Sequence, residues 1–149
     1  MIERSVVFVK PHILLEKGGV KKAREIFGML DGLLKKTGAF RILAEKQFSF
    51  SEELSDLHYR AHVKKPFYPE LKIAITQGKV WARVYEGPDL IERIRKAAGA
   101  TDPAKAERGT VRWKYGDHEN ITNNAIHASG NEEDAAWEVR LHFPECLKR

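Results

Sequence analysis

Cysteine is almost missing from this chain: Cys146 stands alone among 149 residues. A single thiol excludes an internal disulfide and suits a reducing, cytoplasmic setting. Cys146 lies in the C-terminal tail, where a bland role is expected. No apolar run approaches the roughly 20 residues of a membrane span, and the N-terminus lacks the charged-then-apolar layout of a signal peptide, so no membrane partner is expected. The Gly-x-x-x-x-Gly-Lys-Ser/Thr loop is absent, which excludes the P-loop route to phosphoryl transfer. Gly18-Gly19 is too short to replace it. His58 and His62 sit four apart on an expected helix, but the acid of a His-Glu-x-x-His motif is missing, so no metal ligands are assigned. Repeats, linkers and low-complexity tracts are lacking too, and residues 1–149 are read as one domain.

What is present fits a globular protein, with 42% hydrophobic and 32% charged residues. The net charge of +5 is localised: residues 10 to 41 hold eight Lys/Arg against three Asp/Glu, and the remainder balances at eighteen each. A modest positive field suits an anionic ligand such as a nucleotide, with nucleic acid as a secondary partner. A solvated basic helix face explains most of these lysines equally well.

Ser5 to Val9 reads as a strand that stops at Lys10-Pro11. Val20, Ala23, Phe27, Leu30 and Leu34 recur at helical spacing, which predicts a helix from about Gly19 to Lys36, closed by Gly38. Phe40, Ile42 and Ala44, then Phe48 and Phe50, predict a second strand. Ser51-Glu52-Glu53 has the hydroxyl and carboxylates of a helix start. A helical pair broken at Pro66 and Pro69 follows, then a strand over 80–85 and a helix over 88–98. Residues 99–124 show little periodicity and read as a long, functional loop. A short strand at 125–128 and a helix over 132–143 complete the chain. This order predicts an α+β fold, a ferredoxin-like four-stranded antiparallel sheet covered by helices.

The most informative stretch is Asn123-Asn124-Ala125-Ile126-His127-Ala128-Ser129-Gly130. A short apolar run delivers one histidine, with an amide before it and a hydroxyl after it. Imidazole is both nucleophilic and largely unprotonated near neutral pH, so His127 is a candidate phosphoryl acceptor. Glu138, one helical segment on, can hold the ring's second nitrogen, and Ser129 adds a hydroxyl. Arg95, Thr101 and Arg112 are candidate phosphate ligands, although each alone reads as a surface residue. Lys10 ends a buried-looking strand, where an ammonium without a partner is costly. Tyr59 and Phe67 can stack on a base or simply pack a core.

Taken together these residues resemble the nucleoside diphosphate kinase family from about Ile2 to Glu145. The motifs, in the family's order, are Val9-Lys10-Pro11, His58-Tyr59 with Lys65-Pro66-Phe67 and Leu71, Glu86-Gly87, Gly99 to Ala104, Gly109-Thr110-Val111-Arg112, and Asn124 to Ser129. The resemblance implies transfer of a γ-phosphate from a nucleoside triphosphate to a diphosphate, by a ping-pong route through phosphorylated His127. It implies that Glu138 and Ser129 orient His127. Lys10, Tyr59, Arg95, Thr101, Arg112 and Asn124 would hold phosphates and ribose, with Mg2+ bridging the phosphates. Phe67 would stack on the base and Ile121 would cover its other face. A homo-oligomer, whether hexamer, tetramer or dimer, is also implied.

Four departures from the family pattern stand out. His12 follows Lys10-Pro11 where Asp is usual, and the first helical region is longer. Trp113-Lys114-Tyr115 replaces Gly-Asp-Phe, and Gly130 replaces Asp. Two rival readings share the same residues: a nucleotide- or nucleic-acid-binding module without catalysis, and a protein phosphohistidine relay. If neutral His127 attacks, activity is expected to fall at acid pH, with a flat rate between about pH 5 and 8 speaking against it.

Overall fold

The computed structural model describes residues 1–147. Four strands, β1 (Ile2–Val9), β2 (Arg41–Ser49), β3 (Lys79–Pro88) and β4 (Ile126–Ala128), form one sheet in the order β2-β3-β1-β4. Every neighbouring pair is antiparallel. The expected ferredoxin-like α+β arrangement is therefore the one found. Between the strands run α1 (Pro11–Leu14), α2 (Gly19–Lys35), α3 (Glu52–His58), α4 (Tyr68–Thr76), α5 (Leu90–Ala98) and α6 (Val111–Tyr115), and α7 (Glu132–His142) follows β4. Among the described residues no helix is long and apolar enough to cross a membrane.

Helices cover both faces of this sheet, which explains why β1 is buried without interruption from Ser5 to Val9. Val7, Val9, Trp81 and Tyr85 point to one side and pack on Ala23, Ile26, Phe27, Leu30 and Leu34 of α2 and on Ile94 of α5. Val6, Phe8, Val80, Ala82 and Val84 point to the other, against Tyr68 and Ile75 of α4 and Val139 of α7. Alternate residues of each strand thus feed two separate cores, as the period of two requires.

Three expectations are corrected. The buried stripe of α2 begins at Ala23 and includes Ile26, whereas Val20 in the first turn is exposed. The even-numbered pattern of β2 does not stay on one face. A bulge leaves Leu43 unpaired, since Ile42 opposes Tyr85 while Ala44 opposes Val84. Phe40 therefore packs with one core, and Phe48 and Phe50 with the other. The long segment over 99–124 contains α6 and a 3-10 turn at Pro103–Lys105. A five-residue helix is too short to leave a periodic signature; the Thr110 hydroxyl, which accepts from Trp113 N, is its local signal.

Candidate active site

β4 pairs with the inner strand β1 so that His127 lies opposite Phe8 and stacks on its ring at 4.7 Å between centroids. Alternation turns His127 toward the face covered by α3, α4 and α7. Asn131 caps α7 by accepting from Asp134 N at 2.8 Å, which fixes the start of the helix that carries Glu138. Nε2 of His127 then meets Oε1 of Glu138 at 2.7 Å. The same oxygen accepts from the Ser129 hydroxyl at 2.8 Å, and that hydroxyl accepts from Val6 N at 2.9 Å. With Nε2 engaged, Nδ1 is the nitrogen left with a free lone pair.

His127 opens onto a cavity of about 620 Å³, also lined by Lys10, Tyr59, Phe67, Thr101, Arg112, Ile121, Asn124 and Glu138. All the expected site residues except Ser129 and Arg95 are thus gathered on its wall, from α6, β4, α7 and the loops between elements. Ser129 sits behind the wall against Glu138. Arg95 is exposed on α5 and not part of the wall, although its charge lies near enough to Arg112 to lower that guanidinium's pKa. Gly99 shows how tightly the wall is built: its φ is +88°, and a Cβ there would fall 2.4 Å from the Thr110 hydroxyl. Its carbonyl accepts from Arg112 Nη1 at 2.9 Å, and Ile126 O accepts from Nη2 at 2.9 Å.

The wall holds polar groups that the protein itself leaves unsatisfied. Tyr59 OH, Arg112 Nε and Asn124 Oδ1 are buried without a hydrogen-bond partner among the described residues. Lys10 is buried, and among the described residues its ammonium reaches only Thr122 O, at 3.4 Å. Such groups are costly unless a ligand completes them. Burial, with Arg112 nearby, lowers Lys10 to a pKa of about 7. Burial lowers Arg112 to about 10 and raises the Tyr59 phenol. An anion placed between Lys10 and Arg112 would reverse both cationic shifts.

Burial is also the main cause that moves His127 well below the ordinary imidazole range, with Lys10 and Arg112 adding to it. Burial raises Glu138, its partner. Protonation of the ring is displaced below the ordinary imidazole range, so the acid limb expected for attack by the neutral ring moves to lower pH.

Two residues matter more than the sequence indicated. His58 does not join His62 as a metal pair. Its Nδ1 lies 2.8 Å from Nε2 of the buried His142, and its ring packs on His127 edge-on at 4.7 Å. The ligand atoms of His58, His127 and Glu138 lie within 4.8 Å of one another and form a candidate metal set, but Glu138 is already held by His127 and Ser129. His62 is placed beside Lys65 instead. Trp137, on α7 in the cavity wall, lies under the Arg60 guanidinium at 3.7 Å. Neither the His58–His142 contact nor the Trp137 stack has a short-range signal, because each joins residues about eighty positions apart.

A family model described as nucleoside diphosphate kinase matches residues 3–147. The chain belongs to this family. A nucleoside diphosphate kinase of Thermus thermophilus is 40% identical over 147 residues, covering 98% of this chain and 99% of the relative. One from Dehalococcoides mccartyi is 38% identical over 144 residues, covering 97% and 94%. Among solved structures, the Aquifex aeolicus nucleoside diphosphate kinase aligns with a TM-score of 0.80 at 34% identity, covering 96% of each chain. A Halobacterium salinarum nucleoside diphosphate kinase, solved in complex with CDP, aligns with a TM-score of 0.80 at 33% identity and covers 96% of this chain and 88% of that one. The family resemblance read from the motifs, the α+β fold and the phosphotransferase class therefore stand.

Proposed function

We propose that this chain moves the γ-phosphate of a nucleoside triphosphate to a nucleoside diphosphate through a phosphohistidine at His127. The observation that carries this reading is the pairing of two half-sites. One is a histidine fixed by Glu138 and Ser129 with Nδ1 free, and the other is a wall of unsatisfied cationic and polar groups beside it. The Nδ1 lone pair attacks the terminal phosphorus in line. As the N–P bond forms, the bond from phosphorus to the bridging oxygen breaks, and its electron pair leaves on the diphosphate. No proton has to move. A second diphosphate then reverses the step. Nε2–H donates to Glu138 throughout, which holds the ring and offsets the positive charge that develops on it. Lys10 and Arg112 stabilise the charge on the transferred group, so catalysis rests on positioning and electrostatics.

Phe67 and Ile121, each 52% exposed at the cavity mouth, would stack on the two faces of the base. Stacking of this kind reads a flat ring rather than its edges, which suits many bases. Tyr59, Thr101 and Asn124 would bind ribose and phosphate oxygens, and Arg95 would add its charge from α5. Mg2+ would be held by the nucleotide's phosphates and neutralise part of their charge, because the wall offers cations and amides rather than a cage of carboxylates. The CDP bound by the Halobacterium relative supports a diphosphate as the ligand. A cytoplasmic homo-oligomer, hexamer, tetramer or dimer, completes the proposal. Nucleic-acid binding on the sheet is not favoured, because helices cover both of its faces.

The test is transfer from ATP to a second nucleoside diphosphate with Mg2+, for the native chain and for His127→Ala checked by circular dichroism. The proposal expects a loss of at least about 10⁴-fold in a folded variant. Retained turnover would exclude His127 as the carrier.

A further inference from the structure

Ala125, two residues before His127, has a φ of +72°, a left-handed conformation that side-chain-bearing residues rarely adopt. Ile126 N donates to Asn124 O across it at 2.9 Å, which makes Ala125 the centre of a γ-turn with positive φ, the strained kind. Ala125 is fully buried. Strain of this sort persists only where neighbouring groups over-determine it. Here both polar groups of Ala125 are held by the segment after β1. Lys10 N donates to Ala125 O at 2.9 Å, and Ala125 N donates to Nε2 of His12 at 3.0 Å.

We propose that His12 is a positioning residue, whose imidazole acts as the acceptor that locks the Ala125 turn and thereby sets His127, Asn124 and Arg112 relative to one another. The proposal rests on the phosphotransfer reading given above. The turn joins three parts of the site. Asn124, on its near side, donates through Nδ2 to Thr101 O at 3.0 Å. Ile126, on its far side, accepts from Arg112 Nη2 through its carbonyl, and His127 follows directly. A turn that relaxed would shift all three at once.

Chemistry favours the acceptor role. Pro11 at the start of α1 fixes the backbone just before His12 and brings its ring over the turn. To accept at Nε2 the ring must be neutral with its proton on Nδ1. Burial keeps it so, helped by the Lys10 and Lys22 charges and opposed by Glu16 and Asp117, with a resulting pKa of about 4. Alanine at this position would leave a buried N–H with no partner on a strained residue.

The experiment compares His12→Ala, which has no acceptor, with His12→Gln, whose amide oxygen can reach the same N–H. Two readouts are taken: steady-state phosphate transfer from ATP to a second diphosphate, and the hydrogen-exchange rate of the Ala125 amide by NMR. In His12→Ala, kcat is expected to drop on the order of ten- to a hundredfold, as for an ångström-scale misplacement, with a smaller change in KM. The Ala125 amide is expected to exchange faster there, and His12→Gln to recover both slow exchange and most of kcat. A kcat within about twofold of native in His12→Ala, or equal losses in the two variants, would overturn the proposal. If His12→Ala does not fold, His12→Gln decides alone: near-native kcat and a protected amide support the role, and a loss of about tenfold contradicts it. A native chain without phosphotransfer would refute the preceding function instead, while the amide readout would still judge His12.

Discussion

Two polar clusters in this molecule are built from similar residues and end differently. On the outer half of the sheet, Arg83 donates to Glu45 at 2.7 Å and to Asp31 at 3.2 Å. Tyr85 donates to Asp31 at 2.7 Å, and Trp81 donates to the same Glu45 oxygen at 2.7 Å. Every charge there has an opposite within the chain. In the cavity, among the described residues, neither Lys10 nor Arg112 has a carboxylate against it, and three buried polar atoms on the wall lack partners. The first cluster closes on itself and supports the fold. The second is completed only from outside, and the missing complement is anionic with several oxygens. That contrast separates structure from function here more sharply than burial does.

Exchanging single members of the two clusters should break stability and activity in opposite directions. Lys10→Met removes a buried, poorly paired ammonium and is expected to lower kcat/KM by about 10²- to 10³-fold while leaving the melting temperature unchanged or higher. Lys10→Met with full activity would show that the ammonium is not aimed at phosphate. The pH profile sharpens the same point. Lys10 is charged below its pKa of about 7, so kcat/KM, which reports the free enzyme, should decline as pH rises through that value. The decline should vanish in Lys10→Met. Because the folded pKa lies below the ordinary lysine value of 10.5, Lys10 costs stability as pH falls through 10.5, and the cost is complete below about 7. The advantage of Lys10→Met in melting temperature should therefore grow as pH falls from 10.5 to about 7 and stay level below that. Arg83→Ala is the converse and the smallest effect on turnover. It leaves Asp31 and Glu45 with fewer partners and should lower stability by about 1–3 kcal/mol with kcat/KM unchanged. Loss of turnover without loss of stability in that variant would erase the distinction.

Much of this was legible in sequence because its signals are local. The α2 stripe, the Ser51 cap, the strand end at Lys10-Pro11 and the histidine on a short apolar run each depend on near neighbours. The features that escaped depend on pairing across the chain. The Leu43 bulge reverses the phase of β2 only against β3, and the even-numbered pattern gives no sign of it. Coverage of both sheet faces is decided by where the helices return. His12 showed only as a departure from the family pattern, since its partner is a backbone N–H 113 residues away. His58 has the same difficulty, because His142 reaches it from α7. Arg95 was expected through the family resemblance, and it lies exposed on α5, off the cavity wall.

The most direct test of the central claim is to isolate the protein after incubation with γ-phosphate-labelled ATP and Mg2+, then add unlabelled GDP. The account predicts label that is stable in base, labile in acid, absent from His127→Ala and transferred to GDP on the chase. A folded native chain that takes up no label, or one whose label remains in His127→Ala, would contradict it.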